Sequence, residues 1–348
     1  MPENSKVPFY DIEISMPSNS KPCPQFTKLL SKLKPEWNVD TLKFKTFTNG
    51  ITNKIFRVSY EGDSERLVFR VFGQGSSKII NREQELESFN RLSEYGIGTP
   101  VLARFINGIV CGYLEGECLD VQTVRQPHIV EKICSALAKM HQIPPKNGEE
   151  LPEPFIYSKI AEYFEVIPES FEDTKQKIYD DYFVANGVVL KDDFRQLKQK
   201  LDNLTEELKK LVFCHNDLLV FNILYDPDKD QIHFIDYEYA AYNFQLFDIA
   251  NHFCEYAGVV NPDYNLCPSQ SEKREFLQKY LRHFNSHDSS DTDQSLDDLL
   301  AVIPLFEAAS HLFWCLWALA QSHLSVIEFD YMRYAVLRHK QFKKLHEI

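Results

Sequence analysis

Residues 213–239 read FCHNDLLVFNILYDPDKDQIHFIDYEY, and this stretch decides how the chain is interpreted. His215 and Asp217 form an H-x-D motif, Asn222 follows five residues after Asp217, and Asp236 ends an apolar segment fourteen residues later. Phosphoryl transfer needs one carboxylate that accepts or orients the proton of the attacking hydroxyl. It also needs an amide oxygen and a second carboxylate that hold Mg²⁺ across the nucleotide phosphates. The stretch therefore predicts a phosphotransferase site.

The spacing assigns a role to each of these side chains. Asp217 is predicted to accept the hydroxyl proton, Asn222 and Asp236 to hold Mg²⁺, and His215 to pack the catalytic loop. An H-x-D motif alone is common and usually marks a loop with a satisfied aspartate. The motif together with Asn222, the turn DPDKD and a strand that ends in Ile-Asp is much rarer. We therefore favour the catalytic interpretation.

The composition is that of a large globular protein. The chain has 348 residues, of which 44% are hydrophobic, and this length suggests about two domains or lobes. The formal net charge of −13 disfavours nucleic acid and anionic lipid as partners. The longest uninterrupted apolar run, residues 312–320, is too short for a membrane span. We expect a cytoplasmic protein with reduced cysteines, and the sequence leaves a homodimer open.

The pattern of apolar and polar residues changes at two points along the chain. Residues 1–25 lack periodicity and are predicted to be a disordered or loosely attached tail. From Thr41 three alternating segments predict an antiparallel meander, and residues 79–95 have helical spacing. After Glu117 the pattern is mainly helical. The expected class is thus α+β, with a β-rich nucleotide-binding lobe at 26–116 and a helical catalytic and acceptor-binding lobe at 117–348 that share a cleft.

The turn between the first two strands of the meander is a candidate phosphate contact. Residues 47–53 read FTNGITN, and the glycine, hydroxyl and amide groups can donate hydrogen bonds to phosphate oxygens. The candidate nucleotide-binding residues in this turn are Thr48, Asn49, Gly50, Thr52 and Asn53. An ordinary hairpin turn explains the same residues equally well, so both interpretations stay open.

A cation and an acid in the first half complete the phosphotransferase template. Arg70 lies in the strand RLVFRVF and can bind phosphate, although protein kinases usually have lysine at this point. Glu85 on the following helix is the predicted ion-pair partner of Arg70. Glu83 and Glu87 compete for this role, and a solvated helix face accounts for all three glutamates as well.

Longer strings in the chain resemble a known family. HNDLLVFN at 215–222, FIDYEYAAYNFQLFDIANHFCEYAGV at 234–259 and ASHLFWCLWALAQSHLSVIEFDYMRYA at 309–335 resemble the choline/ethanolamine kinase family, and the likeness spans about residues 43–341. The resemblance implies a two-lobed, protein-kinase-like fold that aminoglycoside phosphotransferases share. It also implies Mg²⁺-dependent phosphorylation of an amino alcohol by ATP. The two leucines after HND and the later AGV resemble the ethanolamine-phosphorylating members, which catalyse the first step of the CDP-ethanolamine route to phosphatidylethanolamine.

The same resemblance implies an acceptor pocket. Glu255, Trp314, Trp317 and Tyr334 match positions that line the amine cavity of the family, and Asp217 faces the hydroxyl of the same substrate. An acid neutralises an alkylammonium, and each tryptophan face attracts it by about 0.5 to 2 kcal/mol when desolvated. An aromatic expected shortly after Glu255 is absent, since valines stand at 259 and 260. The implied cage is smaller and suits a primary amine, although an aromatic core stripe would show a similar pattern.

Other functions fit these residues less well. Choline kinase, or a kinase that uses both amines, is the nearest alternative. A catalytically inactive scaffold of the same fold is more remote, because Asp217, Asn222 and Asp236 are all present. A metal-dependent hydrolase is disfavoured, since His311 and His323 are out of helical phase and the chain has no HExxH motif.

Overall fold

The computed structural model of the protein describes residues 7–15, 23–47, 53–73, 81–146, 148–285, 293–325 and 327–346. The chain divides into two compact units, Met1–Glu115 and Gly116–Ile348, which we call unit 1 and unit 2.

Unit 1 contains a six-stranded sheet among its described residues. Its strands lie in the order β1-β5-β6-β4-β3-β2, and every neighbouring pair is antiparallel except β1 with β5. The strand bounds are β1 Phe9–Tyr10, β2 Leu42–Phe47, β3 Asn53–Tyr60, β4 Arg66–Phe72, β5 Val101–Phe105 and β6 Gly108–Gly112. The predicted meander is confirmed by the antiparallel pairing of β2 with β3 and of β3 with β4.

The core of unit 1 lies between this sheet and helix α1, Pro24–Leu33. Phe56 on β3 faces Phe69 on β4 in register, and their rings stack with centroids 5.2 Å apart. Phe26 on α1 contacts both rings at 5.7 and 4.8 Å. All three side chains are fully buried, and each burial contributes about 1.5 to 3 kcal/mol relative to an exposed position. Side chains of β3 and β4 alternate between the two faces of the sheet, and the apolar face that results is the one that α1 covers.

The predicted loose tail at residues 1–25 is wrong for the described residues 7–15. Strand β1 pairs with the edge of β5, and Ile12 and Ile14 are buried in the unit 1 core. The side-chain amide of Asn107 makes two hydrogen bonds with the backbone of Ile14. Its nitrogen donates to the Ile14 carbonyl and its oxygen accepts from the Ile14 N–H, each at 2.9 Å. Helix α1 also begins inside the predicted tail. Residues 7–15 have no periodic pattern of apolar residues. They are ordered because they pair with the edge of strand β5 and because their side chains pack in the core.

Helix α2 spans Arg82–Glu94, close to the helix predicted at 79–95. The side chain of Asn81 accepts hydrogen bonds from the N–H groups of Glu83 and Gln84, each at 3.2 Å, and this N-cap sets where the helix begins. Gly96 follows the helix with a φ of 66°, a conformation that glycine adopts without steric cost.

Unit 2 is mainly helical, as predicted. Its helices are α3 Pro127–His141, α4 Phe155–Val166, α5 Asp173–Tyr179 with a π-helical extension at Asp180–Val184, α6 Leu190–Asp202, α7 Gln245–Glu255, α8 Gln270–Phe284, α9 Asp293–Leu324 and α10 Tyr331–His346. Two small sheets, β10-β9-β7 and β11-β8, lie between them. Their strands are β7 Glu117–Cys118, β8 Leu211–Cys214, β9 Ile223–Asp226, β10 Gln231–Phe234 and β11 Ala241–Phe244.

Helix α9 forms the centre of unit 2, where it packs against α4, α7 and α10. Residues 295–324 are long and apolar enough to cross a membrane by length and composition, which the sequence analysis did not expect. However, 67% of the most apolar window of this helix is buried inside the protein. Three neighbouring helices cover the apolar surface of α9, so the helix fits a protein core.

Candidate active site

The H-x-D motif lies in a loop between β8 and β9, and Asp236 follows β10. Strands β9 and β10 form an antiparallel hairpin in which Ile223 pairs with Phe234. Beyond this pair the backbone N–H of Ile235 donates to the carbonyl of Asn222 at 3.0 Å. The hairpin thus brings Asn222 beside the residue before Asp236. Local pairing, encoded by the turn DPDKD, therefore puts the two predicted metal ligands at the same end of the hairpin.

Asp217 and Asn222 are joined directly. The amide nitrogen of Asn222 donates to the backbone carbonyl of Asp217 at 2.8 Å and lies 3.3 Å from the Asp217 carboxylate oxygen Oδ2. Because the nitrogen is engaged with Asp217, the amide oxygen of Asn222 is the atom that can coordinate a cation. Both side chains are buried, with 8% and 7% exposure.

The electrostatics around Asp217 favour a cation. Burial raises the pKa of Asp217 well above its usual value, and the negative charges of Asp236, Glu255 and Glu238 raise it further. Oxygen donors from carboxylates and an amide are the ligands that Mg²⁺ prefers, so Asn222 and Asp236 fit this ion. A divalent cation here would offset the repulsion between the carboxylates.

Asn216 and Asp236, both within the stretch 213–239, have a strained backbone conformation. Asn216 has a φ of 65° and Asp236 a φ of 67°, the left-handed region that non-glycine residues rarely occupy. Asn216 is held there because its amide nitrogen donates to the carbonyl of Tyr239 at 2.9 Å and its oxygen accepts from Asn243 at 2.8 Å. The surrounding structure therefore imposes the loop conformation.

Asp248 on α7 holds the loop of the H-x-D motif, and the sequence analysis did not single it out. Its carboxylate accepts from the backbone N–H groups of His215 at 2.7 Å and Asn216 at 2.8 Å, and from His141 Nε2 at 3.0 Å. Burial alone would raise the pKa of Asp248, but its hydrogen bonds with His141 and with the His215 backbone lower it. The residue falls within the quoted string 234–259, although no local spacing identifies its role.

His215 ties the loop to the end of β10. Its Nε2–H donates to the carbonyl of Ile235 at 2.9 Å, and its Nδ1 accepts from the N–H of Asp217 at 3.3 Å. The ring is fully buried and packs against Phe234 and Tyr237. Burial lowers the pKa of His215, so the ring stays neutral and keeps this pair of bonds.

Among the described residues, one buried group has metal-ligand chemistry: His141, Cys214 and Asp248 offer ligand atoms within 4.8 Å of one another. The Cys214 thiol contacts the carbonyls of Asn243 and Phe244 at 3.6 Å, and burial raises its pKa well above the usual value. A protonated thiol is a poor metal ligand. The carboxylate of Asp248 is also occupied by the catalytic loop, so this group is structural.

The predicted aromatic pocket residues form one buried cluster in unit 2. The Trp314 and Trp317 rings lie 5.3 Å apart, and Trp317 lies 6.5 Å from Tyr334. Tyr239 contacts Trp314 at 5.6 Å and accepts a 2.8 Å hydrogen bond from Trp317 Nε1. Tyr331 on α10 contacts Trp317 at 5.6 Å. The sequence analysis missed the two tyrosines at 239 and 331, although both lie inside the strings it quoted.

The cluster is linked to the loop that carries Asp217. Burial raises the pKa of Tyr334 well above its usual value, Arg338 lowers it, and the charges of Glu255 and Asp217 add to the increase. Hydrogen bonds make the link: the Tyr239 hydroxyl accepts from Trp317 Nε1, and the Tyr239 carbonyl accepts from the side-chain amide of Asn216, the residue before Asp217. The predicted acceptor residues and the predicted catalytic residue are therefore brought together within unit 2.

Glu255 has a partner that the sequence analysis did not identify. Its Oε1 accepts a hydrogen bond of 2.9 Å from Nη1 of Arg338, and both side chains are nearly inaccessible, with exposed fractions of 4% and 2%. Nη1 of Arg338 also donates to the Tyr334 hydroxyl at 3.2 Å. The acid predicted to neutralise an amine is thus already ion-paired.

Unit 1 contains the ion pair that the template requires. Nη1 of Arg70 lies 3.0 Å from Oε1 of Glu85, and both side chains are buried. Arg82 also donates to Glu85 at 2.7 Å, whereas Glu83 pairs with Arg104 at 2.9 Å. The helical phase set by the Asn81 cap turns Glu85 towards the sheet, which decides between the candidates for Arg70.

The predicted phosphate turn is largely outside the described residues. Thr48, Asn49, Gly50 and Thr52 are not described, and Asn53 is described only as the first residue of β3. The predicted contact of this turn with phosphate stays a prediction.

Known proteins resemble the chain over most of its length. A family model described as choline/ethanolamine kinase matches residues 44–343. A probable ethanolamine kinase of Nematostella vectensis is 37% identical over 320 residues, which is 90% of each chain. Ethanolamine kinase 1 of Mus musculus is 34% identical over 349 residues, covering 99% of this chain and 95% of the relative.

Solved structures agree with these relatives. An ethanolamine kinase of Plasmodium vivax superposes with a TM-score of 0.80 at 27% identity, covering 93% of this chain and 89% of the other. A choline kinase of Cryptosporidium parvum gives 0.71 at 25% identity, covering 92% and 95%. The predicted two-lobed, kinase-like α+β fold is confirmed. With a family model that spans residues 44–343 and relatives this similar along nearly the whole chain, the protein belongs to the choline/ethanolamine kinase family.

Proposed function

We propose that this protein transfers the γ-phosphoryl group of ATP to the hydroxyl of ethanolamine in the cytoplasm, and so begins the route to phosphatidylethanolamine. The observation that carries the proposal is the hydrogen-bonded link between the loop of Asp217 and Asn222 and the buried aromatic cluster, in which Tyr239 bonds both Asn216 and Trp317. The relatives named as ethanolamine kinases support the choice of amine.

The proposed phosphoryl transfer uses three groups of unit 2. Asp217 accepts a hydrogen bond from the substrate hydroxyl and receives its proton as the oxygen attacks. Asn222, through its amide oxygen, and Asp236 would hold Mg²⁺, which would supply charge neutralisation at the phosphates. Asp248 and His215 keep the loop rigid, so Asp217 does not reorganise during the reaction.

Unit 1 is proposed to hold the nucleotide. Arg70, fixed by Glu85, offers a planar cation that suits phosphate oxygens, and buried pairing keeps its orientation. The turn at residues 48–53 is proposed to supply further donors. Both contacts would orient the ATP phosphates.

The amine end of the substrate is proposed to lie against Trp314, Trp317 and Tyr334, beside Glu255. Aromatic faces attract a desolvated cation, and a carboxylate oxygen accepts one of its N–H donors. Shortly after Glu255, where the family pattern leads us to expect an aromatic, valines stand at 259 and 260, and Val260 is 75% exposed. A primary amine therefore meets fewer aromatic faces and depends more on the carboxylate.

A comparison of four acceptors tests this function. ADP release should be measured at saturating Mg·ATP with ethanolamine, monomethylethanolamine, dimethylethanolamine and choline. We expect kcat/KM to be highest for ethanolamine and at least about tenfold lower for choline, because an unmatched donor or a clashing methyl costs about 1 to 3 kcal/mol. Equal values, or a preference for choline, would assign a choline or dual-specificity kinase instead. No turnover with any amine would indicate an inactive scaffold.

A further inference from the structure

Arg338 is buried beside the cluster of Glu255 and the aromatic rings, and two of its guanidinium nitrogens make hydrogen bonds. Nη1 donates to Glu255 and to the Tyr334 hydroxyl, and Nη2 donates to Oγ of Ser310 at 3.0 Å and to the Ser310 carbonyl at 3.4 Å. The side chain is among the largest fully buried ones in the described residues. A guanidinium held at two nitrogens has one orientation, so its partners are fixed relative to one another.

The contacts of Arg338 continue to the aromatic wall. Ser310 Oγ donates to Oδ1 of Asn251 at 2.8 Å, and the same oxygen accepts from Nε1 of Trp314 at 2.7 Å. Trp314, Asn251, Ser310, Arg338 and Glu255 thus form one hydrogen-bonded chain that connects helices α7, α9 and α10. The same hydrogen-bond network therefore positions both the carboxylate of Glu255 and the ring of Trp314.

Within the described residues, the two oxygens of Glu255 differ. Oε1 is engaged by Arg338, whereas Oε2 makes no hydrogen bond. A carboxylate accepts along several lone-pair directions, and pinning one oxygen leaves the other pointing in a defined direction. The ion pair also offsets the charge of Glu255, so the pocket offers a directed acceptor with less net negative charge.

We propose that Arg338 is a positioning residue that sets amine selectivity by orienting Glu255 towards a primary ammonium. The inference rests on the proposed function, since it assumes that the amine binds in this cluster. A primary ammonium has three N–H donors and gains from an oriented oxygen, whereas a quaternary ammonium has none and responds to aromatic faces and overall negative charge. Loss of Arg338 should therefore harm ethanolamine binding more than choline binding.

The test is a double-mutant cycle between the two partners. Arg338→Met removes the charge and the donors but keeps the aliphatic stem, Glu255→Gln removes the charge of the acid, and the double variant combines them. Arg333→Met on α10 is the matched control, because Arg333 is exposed and pairs with Asp330. Dissociation constants for ethanolamine and choline should be measured by tryptophan fluorescence, alongside kcat and KM at saturating Mg·ATP.

We expect Arg338→Met to weaken ethanolamine binding by about tenfold or more, with kcat changed by less than about threefold and choline binding changed by less than about threefold. In the Glu255→Gln background the same substitution should cost ethanolamine less than about threefold, because the two residues act as a unit. Arg338→Lys keeps a cation and should recover part of the loss. Arg333→Met should behave as the wild type.

Additive effects of the two substitutions, or equal losses for both amines, would overturn the positioning role of Arg338. If Arg338→Met does not fold, Arg338→Lys and Ser310→Ala decide: the first keeps a cation but removes the planar guanidinium, and the second keeps the guanidinium but removes one of its acceptors. Both should lower the preference for ethanolamine, and an unchanged preference in both overturns the role. A wild-type preference for choline would overturn the proposed function alone, because the cycle can still be measured with either amine.

Discussion

The side-chain amide nitrogen of Asn222 donates a 2.8 Å hydrogen bond to the backbone carbonyl of Asp217. This bond closes the loop of the H-x-D motif on itself and fixes the rotamer of Asn222. Its amide oxygen is left for a cation, and the carboxylate of Asp217 is held next to the same position. One contact therefore couples the proposed base to the proposed metal ligand.

Removing a metal ligand should change the Mg²⁺ dependence of the reaction. Asn222→Ala and Asp236→Ala should each raise the Mg²⁺ concentration for half-maximal activity by about tenfold or more, as for other removed ligand contacts. Asp228→Ala is the control, because Asp228 is exposed in the turn between β9 and β10. Initial rates across a Mg²⁺ titration at fixed ATP provide the measurement. Unchanged midpoints in both variants would remove Asn222 and Asp236 from the metal site.

Replacing the proposed base should stop chemistry while nucleotide still binds. Asp217→Asn keeps the shape of the side chain but removes the proton acceptor, and general-base catalysis contributes about 10² to 10⁴ in rate. We expect kcat to fall by at least about a hundredfold, with the dissociation constant for ATP within about threefold of the wild type. Single-turnover kinetics and nucleotide titration separate the two effects. Turnover like that of the wild type would contradict the assignment.

The ring of Trp317 should contribute more to amine binding than its N–H group does. Trp317→Phe removes the hydrogen bond to Tyr239 but keeps an aromatic face, so we expect KM for the amine to rise by less than about fivefold, in line with about 1 kcal/mol for one hydrogen bond. Trp317→Ala also removes the cation–π contact and should raise KM by about tenfold or more for both amines. Equal KM values in Trp317→Ala and the wild type would place the amine elsewhere.

The buried pair in unit 1 should support both stability and nucleotide affinity. Arg70→Met leaves the carboxylate of Glu85 with Arg82 as its remaining ion-pair partner, so we expect a loss of about 3 kcal/mol in the stability of unit 1 and a higher KM for ATP. Arg104→Met breaks the more exposed pair with Glu83 and should cost less than about 1 kcal/mol. Urea unfolding followed by fluorescence and ATP kinetics measure both effects. Equal losses in the two variants would contradict a special role of Arg70.

His252 should make stability depend on pH. Its Nδ1–H donates to the carbonyl of Leu218 at 2.9 Å, and burial lowers its pKa from 6.5 to about 4. Below pH 6.5 the unfolded chain binds a proton here that the folded protein rejects until about pH 4. The stability associated with this residue is therefore present above pH 6.5 and is lost as the pH falls through this window.

The His252→Asn variant measures this dependence, because an asparagine amide can replace the Nδ1–H donor without titrating. Between pH 7 and pH 5 the wild type should lose about 2 kcal/mol more unfolding free energy than the variant. His311 is equally present in both proteins, so its own titration cancels in the comparison. Parallel pH profiles for the two proteins would show that His252 does not titrate in this way.

Local sequence was enough to locate the proposed chemistry. Asp217, Asn222 and Asp236 lie within one loop and one hairpin, where turn residues and strand alternation determine geometry over a few residues. The meander of unit 1 and the helical character of unit 2 followed from the same periodicities. The resemblance to the kinase family supplied the aromatic residues, which spacing alone could not separate from an ordinary core stripe.

Tertiary structure decided the partners of these residues. Asp248 reaches the His215 backbone from 33 positions away, and Arg338 reaches Glu255 from 83 positions away, so no local pattern encodes either pair. The choice of Glu85 for Arg70 depends on helix phase against the sheet, and the order of residues 7–15 depends on the free edge of β5. The physical reason is that burial and hydrogen-bond satisfaction are properties of packed surfaces. A sequence determines the groups available for pairing, and packing selects which of them meet.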